Sequence, residues 1–326
     1  MMDASSAPSP AEPVRVFVGA HDTEYLAYRV LEHSIRRHTS LPVEMRTIDN
    51  TLAPPPKDER FLPYTNFSYG RYAIPKEAGY QGRAIYMDSD MIVFRDIAEI
   101  WQIPFDGAKI LVEKITDETR GAGRLTAVMV MDCGALDWDV AKIMDRLGVD
   151  YDYTELMSVY PLLKEGEMQD RLPVGWNSLD VFTDETRLLH YTKIKTQPWV
   201  YPCHPCGDLW LDELKLTMQS GELSEQDVKD EVAKGHVRPS LLIELGLDER
   251  RRPGDYSPQA LLRHDRKAGY VIHKKLFDDM ETKRRARLEY ERRLDPAGFA
   301  ERRRKRVWRN FVRHPLRFFT DDKLRV

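Results

Sequence analysis

At 326 residues and 42% hydrophobic content, the chain has room for one large α/β domain with an appendage or two modest domains, and wholesale disorder is excluded. Three cysteines, Cys133, Cys203 and Cys206, are too few and too odd in number for a disulfide scaffold and indicate a reducing compartment. The net charge of -3 hides a segregation: from Arg251 onward 23 Lys and Arg face 11 Asp and Glu, against 27 and 42 elsewhere, which implies that the tail meets something anionic.

Residues 1–13 are rich in Ala, Ser and Pro with no Lys or Arg, the pattern of a disordered tail and not of a signal peptide. No uncharged apolar run reaches membrane-spanning length, since Ala127–Leu136 is short and broken by Asp132, so a soluble, cytoplasmic protein is expected. Val14–Val18, ending at Gly19, predicts a first strand. Leu26, Val30, Leu31 and Ile35 at helical spacing predict a helix through His38. Val43–Ile48 alternates as a second strand would. Thr51–Pro63, with its prolines, reads as a loop, and Ser68–Ile74 as a helix stopped near Pro75. Ala84–Met87, Met91–Phe94, Lys109–Val112, Ala127–Met131 and Leu188–Tyr191 are strand candidates. Asp139–Leu147 reads as a helix closed by Gly148. Ser224–Lys234 begins on an N-cap and ends at Gly235, and Pro239–Leu247 is a short apolar segment. Asp248–Pro258 reads as a linker, and Lys274–Leu294 and Ala300–Val312 as Arg-rich helices. Strands alternating with helices over the first two hundred residues predict an α/β layer fold with a mixed sheet.

Within this pattern one segment carries chemistry: Ile85-Tyr86-Met87-Asp88-Ser89-Asp90-Met91-Ile92-Val93-Phe94. On an extended chain Asp88 and Asp90 project to one face while Ser89 points away. Two carboxylates between apolar flanks repel each other and lose hydration, which is unfavourable without a cation. Hard oxygen ligands beside a diphosphate suit Mg²⁺ or Mn²⁺. Two solvated aspartates in a turn are the alternative, and Asp-x-Asp by itself does not decide between them.

Four stretches together resemble the family 8 glycosyltransferases, the group of glycogenin and the bacterial lipopolysaccharide galactosyl- and glucosyltransferases. Val16-Phe17-Val18-Gly19-Ala20-His21-Asp22-Thr23-Glu24-Tyr25 is similar to the opening strand and nucleotide loop, with Asp22 on the acidic position and Glu24 where Asn is usual. Helix capping is the other reading of these two acids. Ser68-Tyr69-Gly70-Arg71-Tyr72-Ala73-Ile74-Pro75 resembles the segment before the metal strand, where Arg71 could grip the donor with its guanidinium fork or form a surface ion pair. Tyr86–Val93 matches the Tyr-Leu-Asp-x-Asp-x-x-Val segment. Leu172-Pro173-Val174-Gly175-Trp176-Asn177 and Leu189-His190-Tyr191-Thr192-Lys193-Ile194-Lys195-Thr196-Gln197-Pro198-Trp199 resemble the last two motifs. In the second of these the histidine is the third metal ligand, which makes His190 the candidate.

The residue pattern beyond Trp199 adds a helical, Arg-rich C-terminal extension, dividing the chain into a catalytic domain over 14–200, a helical continuation over 201–247 and a basic extension over 248–326. The resemblance, which spans Val14–Trp199, implies a GT-A-like fold with a mixed central sheet flanked by helices. It further implies Mn²⁺ (or Mg²⁺) on Asp88, Asp90 and His190, nucleotide contacts from Asp22, Glu24 and Arg71, and transfer of a hexose from a UDP-sugar to a glycan or glycolipid acceptor with retention of configuration.

Three departures stand out. The last motif is one residue longer, with Lys193 at its glycine position and Gln197 before Pro198, so Lys195 or Lys193 must serve as the phosphate clamp. Arg124–Asp132 lacks the family's Asn and Gly, leaving Thr126 as the residue to line the donor sugar. Tyr153-Thr154-Glu155-Leu156-Met157 stands where an Asp-Gln-Asp motif is expected, making Glu155 the catalytic candidate on the acceptor side. Cys203-His204-Pro205-Cys206 lacks two further ligands at zinc spacing and reads as a packed loop. Trp176, Trp199 and Trp210 read as core, with the acceptor cleft as the alternative. Arginines interleaved with Trp308, Phe311, Phe318 and Phe319 suit peripheral attachment to an anionic membrane surface, and no nucleic-acid motif accompanies them. Two rivals stand beside the transferase: a nucleotidyltransferase, disfavoured by an acidic first loop, and a non-catalytic scaffold of the same fold.

Overall fold

A computed structural model describes residues 13–48, 51–62, 64, 66–114, 126–254 and 256–313. The strands are β1 (Val14–Gly19), β2 (Val43–Ile48), β3 (Arg83–Asp88), β4 (Met91–Val93), β5 (Ile110–Glu113), β6 (Val128–Asp132), β7 (Met168–Leu172), β8 (Ser178–Leu179) and β9 (Leu188–His190). The helices are α1 (Tyr25–His38), α2 (Asn66–Gly70), α3 (Ile74–Glu77), α4 (Ala98–Trp101), α5 (Val140–Arg146), α6 (Gly207–Gln219), α7 (Glu225–Ala233), α8 (Leu241–Glu244), α9 (Pro258–Lys267), α10 (Lys274–Leu294) and α11 (Pro296–Arg313). The chain forms two compact units: one of Met1–Pro55 and Thr65–Phe277, the other of Pro56–Tyr64 and Asp278–Val326.

The first unit is a mixed α/β fold. Its main sheet runs β2-β1-β3-β6-β5-β7, with β1, β2 and β3 mutually parallel and β6 antiparallel to both of its neighbours. A second, three-stranded sheet runs β4-β9-β8. The period of two along each strand sorts side chains between two cores. Val14, Val16 and Val18 of β1 join Met91 and Val93 of β4 in one, whereas Ile92 of β4 joins Leu189, Trp199 and Trp210 in the other. Helix α1 serves both, giving Leu31 and Ile35 to the first and Leu26, Ala27 and Val30 to the second. Burying these apolar faces stabilises the packing by roughly 25 cal/mol per Å² of apolar surface.

The predicted strands and the helix over α1 and α5 are present, and Asp139 caps α5 by accepting from the amides of Ala141 and Lys142. Three expectations need correction. Pro75 does not stop a helix: it lies in the first turn of α3, where a missing N–H leaves no bond unmade. The linker reading of Asp248–Pro258 overruns, because Ser257 caps α9 and Pro258 opens it. The cleft alternative for Trp176, Trp199 and Trp210 falls, since all three are at most 1% exposed. In the second unit, α11 carries Trp308, which is 67% exposed, and Arg293 of α10 pairs with Glu59 at 3.3 Å. The expected tail over residues 1–12 and the aromatics Phe318 and Phe319 lie outside the described residues. Among the described residues no helix is long and apolar enough to cross a membrane.

Candidate metal centre

The centre sits where three strand ends lie level. Gly19, the last residue of β1, pairs with Ile48 of β2 on one side and with Asp88 of β3 on the other. This carboxyl edge is where open α/β sheets bind ligands. After Asp88 the strand ends and the chain bends. The Ser89 amide donates to the Gly19 carbonyl at 3.0 Å, and β4 departs into the second sheet. There β4 pairs antiparallel with β9, placing Met91 opposite His190, and the Tyr191 amide donates to the Asp90 carbonyl at 2.9 Å. A backbone ladder, and not proximity in sequence, thus carries the histidine to the aspartates.

Asp88, Asp90 and His190 each bring one ligand atom to within 4.8 Å of the others. His190 Nε2 lies 3.0 Å from Asp90 Oδ1, and its Nδ1 lies 2.8 Å from Asn177 Oδ1. An amide oxygen only accepts, so Nδ1 carries a proton and the neutral ring offers its lone pair at Nε2, toward the carboxylates. Burial pushes the Asp88 carboxyl up from its ordinary value, with Asp90 adding to it and Arg71 and His190 opposing. Burial alone would lower His190, but the Asp90 carboxylate overrides it and the imidazole is raised. Two hard oxygen donors and one imidazole fit a divalent ion.

Arg71 stands in a single 3-10 turn (Arg71–Ala73) between α2 and α3 and is buried, which excludes the surface ion-pair reading. One guanidinium nitrogen donates to the Tyr86 hydroxyl at 2.9 Å and lies 3.8 Å from Asp88 Oδ1; the other donates to the Thr126 carbonyl at 3.2 Å. Tyr86 in turn donates its hydroxyl to Asp88 Oδ1. Burial would weaken the charge on Arg71, but the Tyr86 and Tyr160 oxygens and Asp88 more than offset it. The Thr126 hydroxyl donates to the Met157 carbonyl at 3.3 Å.

Glu24 is turned inward. It closes a capping box with His21, whose amide it accepts at 2.8 Å, and the same oxygen accepts from the Ser89 hydroxyl at 2.9 Å. Burial, then Asp90, pushes its carboxyl up to about 7. Asp22 faces outward and pairs with Lys275 at 2.6 Å; burial would raise its carboxyl, but the lysine together with His21 and the local backbone lowers it. Asp22 also lines a cavity of about 480 Å³ with Tyr25, Tyr28, Asp227, Asp230 and Glu231, which does not include the trio.

The remaining predicted residues are not drawn into the cluster by any described contact. Lys195 is exposed, its ammonium 5.7 Å from the Phe277 ring centroid. Lys193 lies 3.8 Å from Asp180. Glu155 is exposed and accepts from the Asp152 amide at 2.8 Å in a local turn. Cys203 and Cys206 are free thiols, and the Cys206 amide donates to His204 Nδ1 at 3.0 Å.

Four further side chains complete the site without having been singled out by the sequence reading. Tyr86 and Asn177 lie inside quoted motifs, and Gln197 was visible only as a departure. Gln197 donates from Nε2 to Asp90 Oδ2 and to the Tyr191 carbonyl, both at 2.9 Å, and its Oε1 lies 3.0 Å from His273 Nε2. His273, in the short segment between α9 and α10, has no motif signal at all.

No protein-family model matches the chain. Over 234 residues it is 26% identical to Protein CDI of Arabidopsis thaliana, covering 64% of this chain and 88% of the plant protein. Among solved structures it is similar to the galactosyltransferase LgtC in complex with donor and acceptor sugar analogues, at 12% identity over 67% of this chain and 100% of that one, TM-score 0.47. It is also similar to the glycosyltransferase GlyE of Streptococcus pneumoniae (15% identity, 70% of this chain and 66% of that one, TM-score 0.47). A third is the bifunctional glycosyltransferase WbbM, at 13% identity over 64% of this chain and TM-score 0.42, of whose length the chain spans about half, 51%.

Proposed function

We propose that this chain is a metal-dependent glycosyltransferase of GT-A type that moves a hexose from a UDP-sugar to a glycan or glycolipid acceptor, with retention of configuration. The observation that carries this reading is the convergence of Asp88, Asp90 and His190 at the carboxyl edge of β1 and β3, beside the loop that bears Asp22. A divalent cation, Mn²⁺ or Mg²⁺, held by these three residues would neutralise the diphosphate that leaves as the glycosidic bond breaks.

The protein's own residues supply the rest. Asp22 and the adjoining cavity take the nucleoside, a role that suits an outward carboxylate better than the doubly engaged Glu24. Arg71, through Tyr86, holds Asp88 in place and keeps a positive charge behind it. Lys195, the clamp expected from the sequence, and Lys275, paired with Asp22, are proposed to take the diphosphate. Glu155 remains the proposed acceptor-side residue. The Arg-rich helices, with Trp308 exposed, are proposed to attach the protein to an anionic membrane surface at the inner face of the membrane.

Turnover of UDP-sugars with Mn²⁺ tests the assignment. Asp90→Asn, which keeps the shape and removes the charge, is expected to abolish metal-dependent release of UDP in a screen of donors. Undiminished turnover by this variant would overturn the site.

A further inference from the structure

Asp90 has two oxygens, and they are not equivalent. Oδ1 faces His190 Nε2, whereas Oδ2 is occupied by Gln197, which is 1% exposed. The amide of Gln197 has only one consistent orientation. A carboxylate and the Tyr191 carbonyl are both acceptors, so the NH₂ end must face them and spends both its protons there. Its oxygen must then find a donor, and the group 3.0 Å away is His273 Nε2. The ring is 2% exposed, and burial pushes it down to about 4, so it is neutral and gives its Nε2 proton to Gln197.

The backbone aims this ring deliberately. His273 has φ of 49°, in the left-handed region, and its ring stands edge-on to Phe277 at 6.1 Å. Phe277 in turn lies under Lys195, and Lys275 reaches Asp22. Residues 273–277 are therefore built onto the loop that follows β9.

Resting on the metal-site reading above, we propose that His273 and Gln197 are positioning residues for the cation, forming a relay that fixes Asp90 with Oδ2 occupied and Oδ1 presented to the metal. The segment between α9 and α10, with no motif of its own, thereby becomes part of the metal centre. Outer partners of this kind typically change metal affinity by roughly 10–100-fold when removed.

Two substitutions of His273 separate a relay from packing. His273→Phe keeps the ring volume and loses the donor; His273→Gln loses the ring and keeps an N–H near the place of Nε2. Mn²⁺ binding to the full chain is read from the electron paramagnetic resonance signal of the free ion during titration, with thermal melting as a check of folding. The expected result is a dissociation constant raised about tenfold in His273→Phe, restored in His273→Gln, and raised no further when Gln197→Leu is added to His273→Phe. Wild-type affinity in His273→Phe, or its loss in His273→Gln alone, would overturn the relay while leaving the metal site standing. A wild-type protein that takes no Mn²⁺ would instead remove the metal reading on which the relay rests.

Discussion

Buried acids set the behaviour of single residues here. Glu113, at the end of β5, accepts from the Gly175 amide at 3.2 Å, and burial pushes its carboxyl up to about 7. Glu24 reaches the same value beside the aspartates. Each is protonated when folded but ionised when unfolded between its ordinary value and about 7, so the folded state holds the extra proton. Stability then falls as pH rises through that window. His190, raised by Asp90, acts in the same direction, losing its stabilising charge as pH climbs. The melting temperature of metal-free protein is therefore expected to decline from about pH 5 to about pH 7.5, with a shallower slope in Glu113→Gln because the neutral amide has no proton to lose. An unchanged slope in that variant would contradict the role given to Glu113.

At the scale of elements, the parts legible in sequence were those whose signal is local. Apolar, β-prone runs mark β1 and β3, alternation marks β2, helical periodicity marks α5, and an N-cap marks the start of α7. Two edge strands were not legible: β7 (Met-Gln-Asp-Arg-Leu) has polar residues at its centre, and two-residue β8 is too short for any period. Helix α6 carries apolar residues on several faces because it packs within a core. Of the site, Asp88, Asp90 and His190 were readable as a motif in order, but the β4–β9 register that joins them was not. Asn177 depends on a loop whose Gly175 has φ of 96° and would place a Cβ 2.3 Å from the Glu185 carbonyl oxygen. That loop sets the imidazole by tertiary contact, which no pattern in the sequence encodes. His273 is the extreme case, since only folding brings it to Gln197.

Charge is divided across the whole molecule, with the basic excess beyond Arg251 and the acidic excess before it. If the basic helices serve an anionic bilayer, each basic residue near the surface adds on the order of 1 kcal/mol. The full chain is expected to co-sediment with anionic vesicles and not with neutral ones, and a chain ending before Glu301 to lose most of that binding. Equal sedimentation with both vesicle types would count against attachment. In the body, the proposed site holds a nucleotide through a cation on Asp88, Asp90 and His190. Calorimetry of UDP binding, with Mn²⁺ and then with the metal chelated, tests this. Binding that appears only with Mn²⁺ and is lost in Asp90→Asn is expected, whereas equal binding after chelation, or none under either condition, would contradict it.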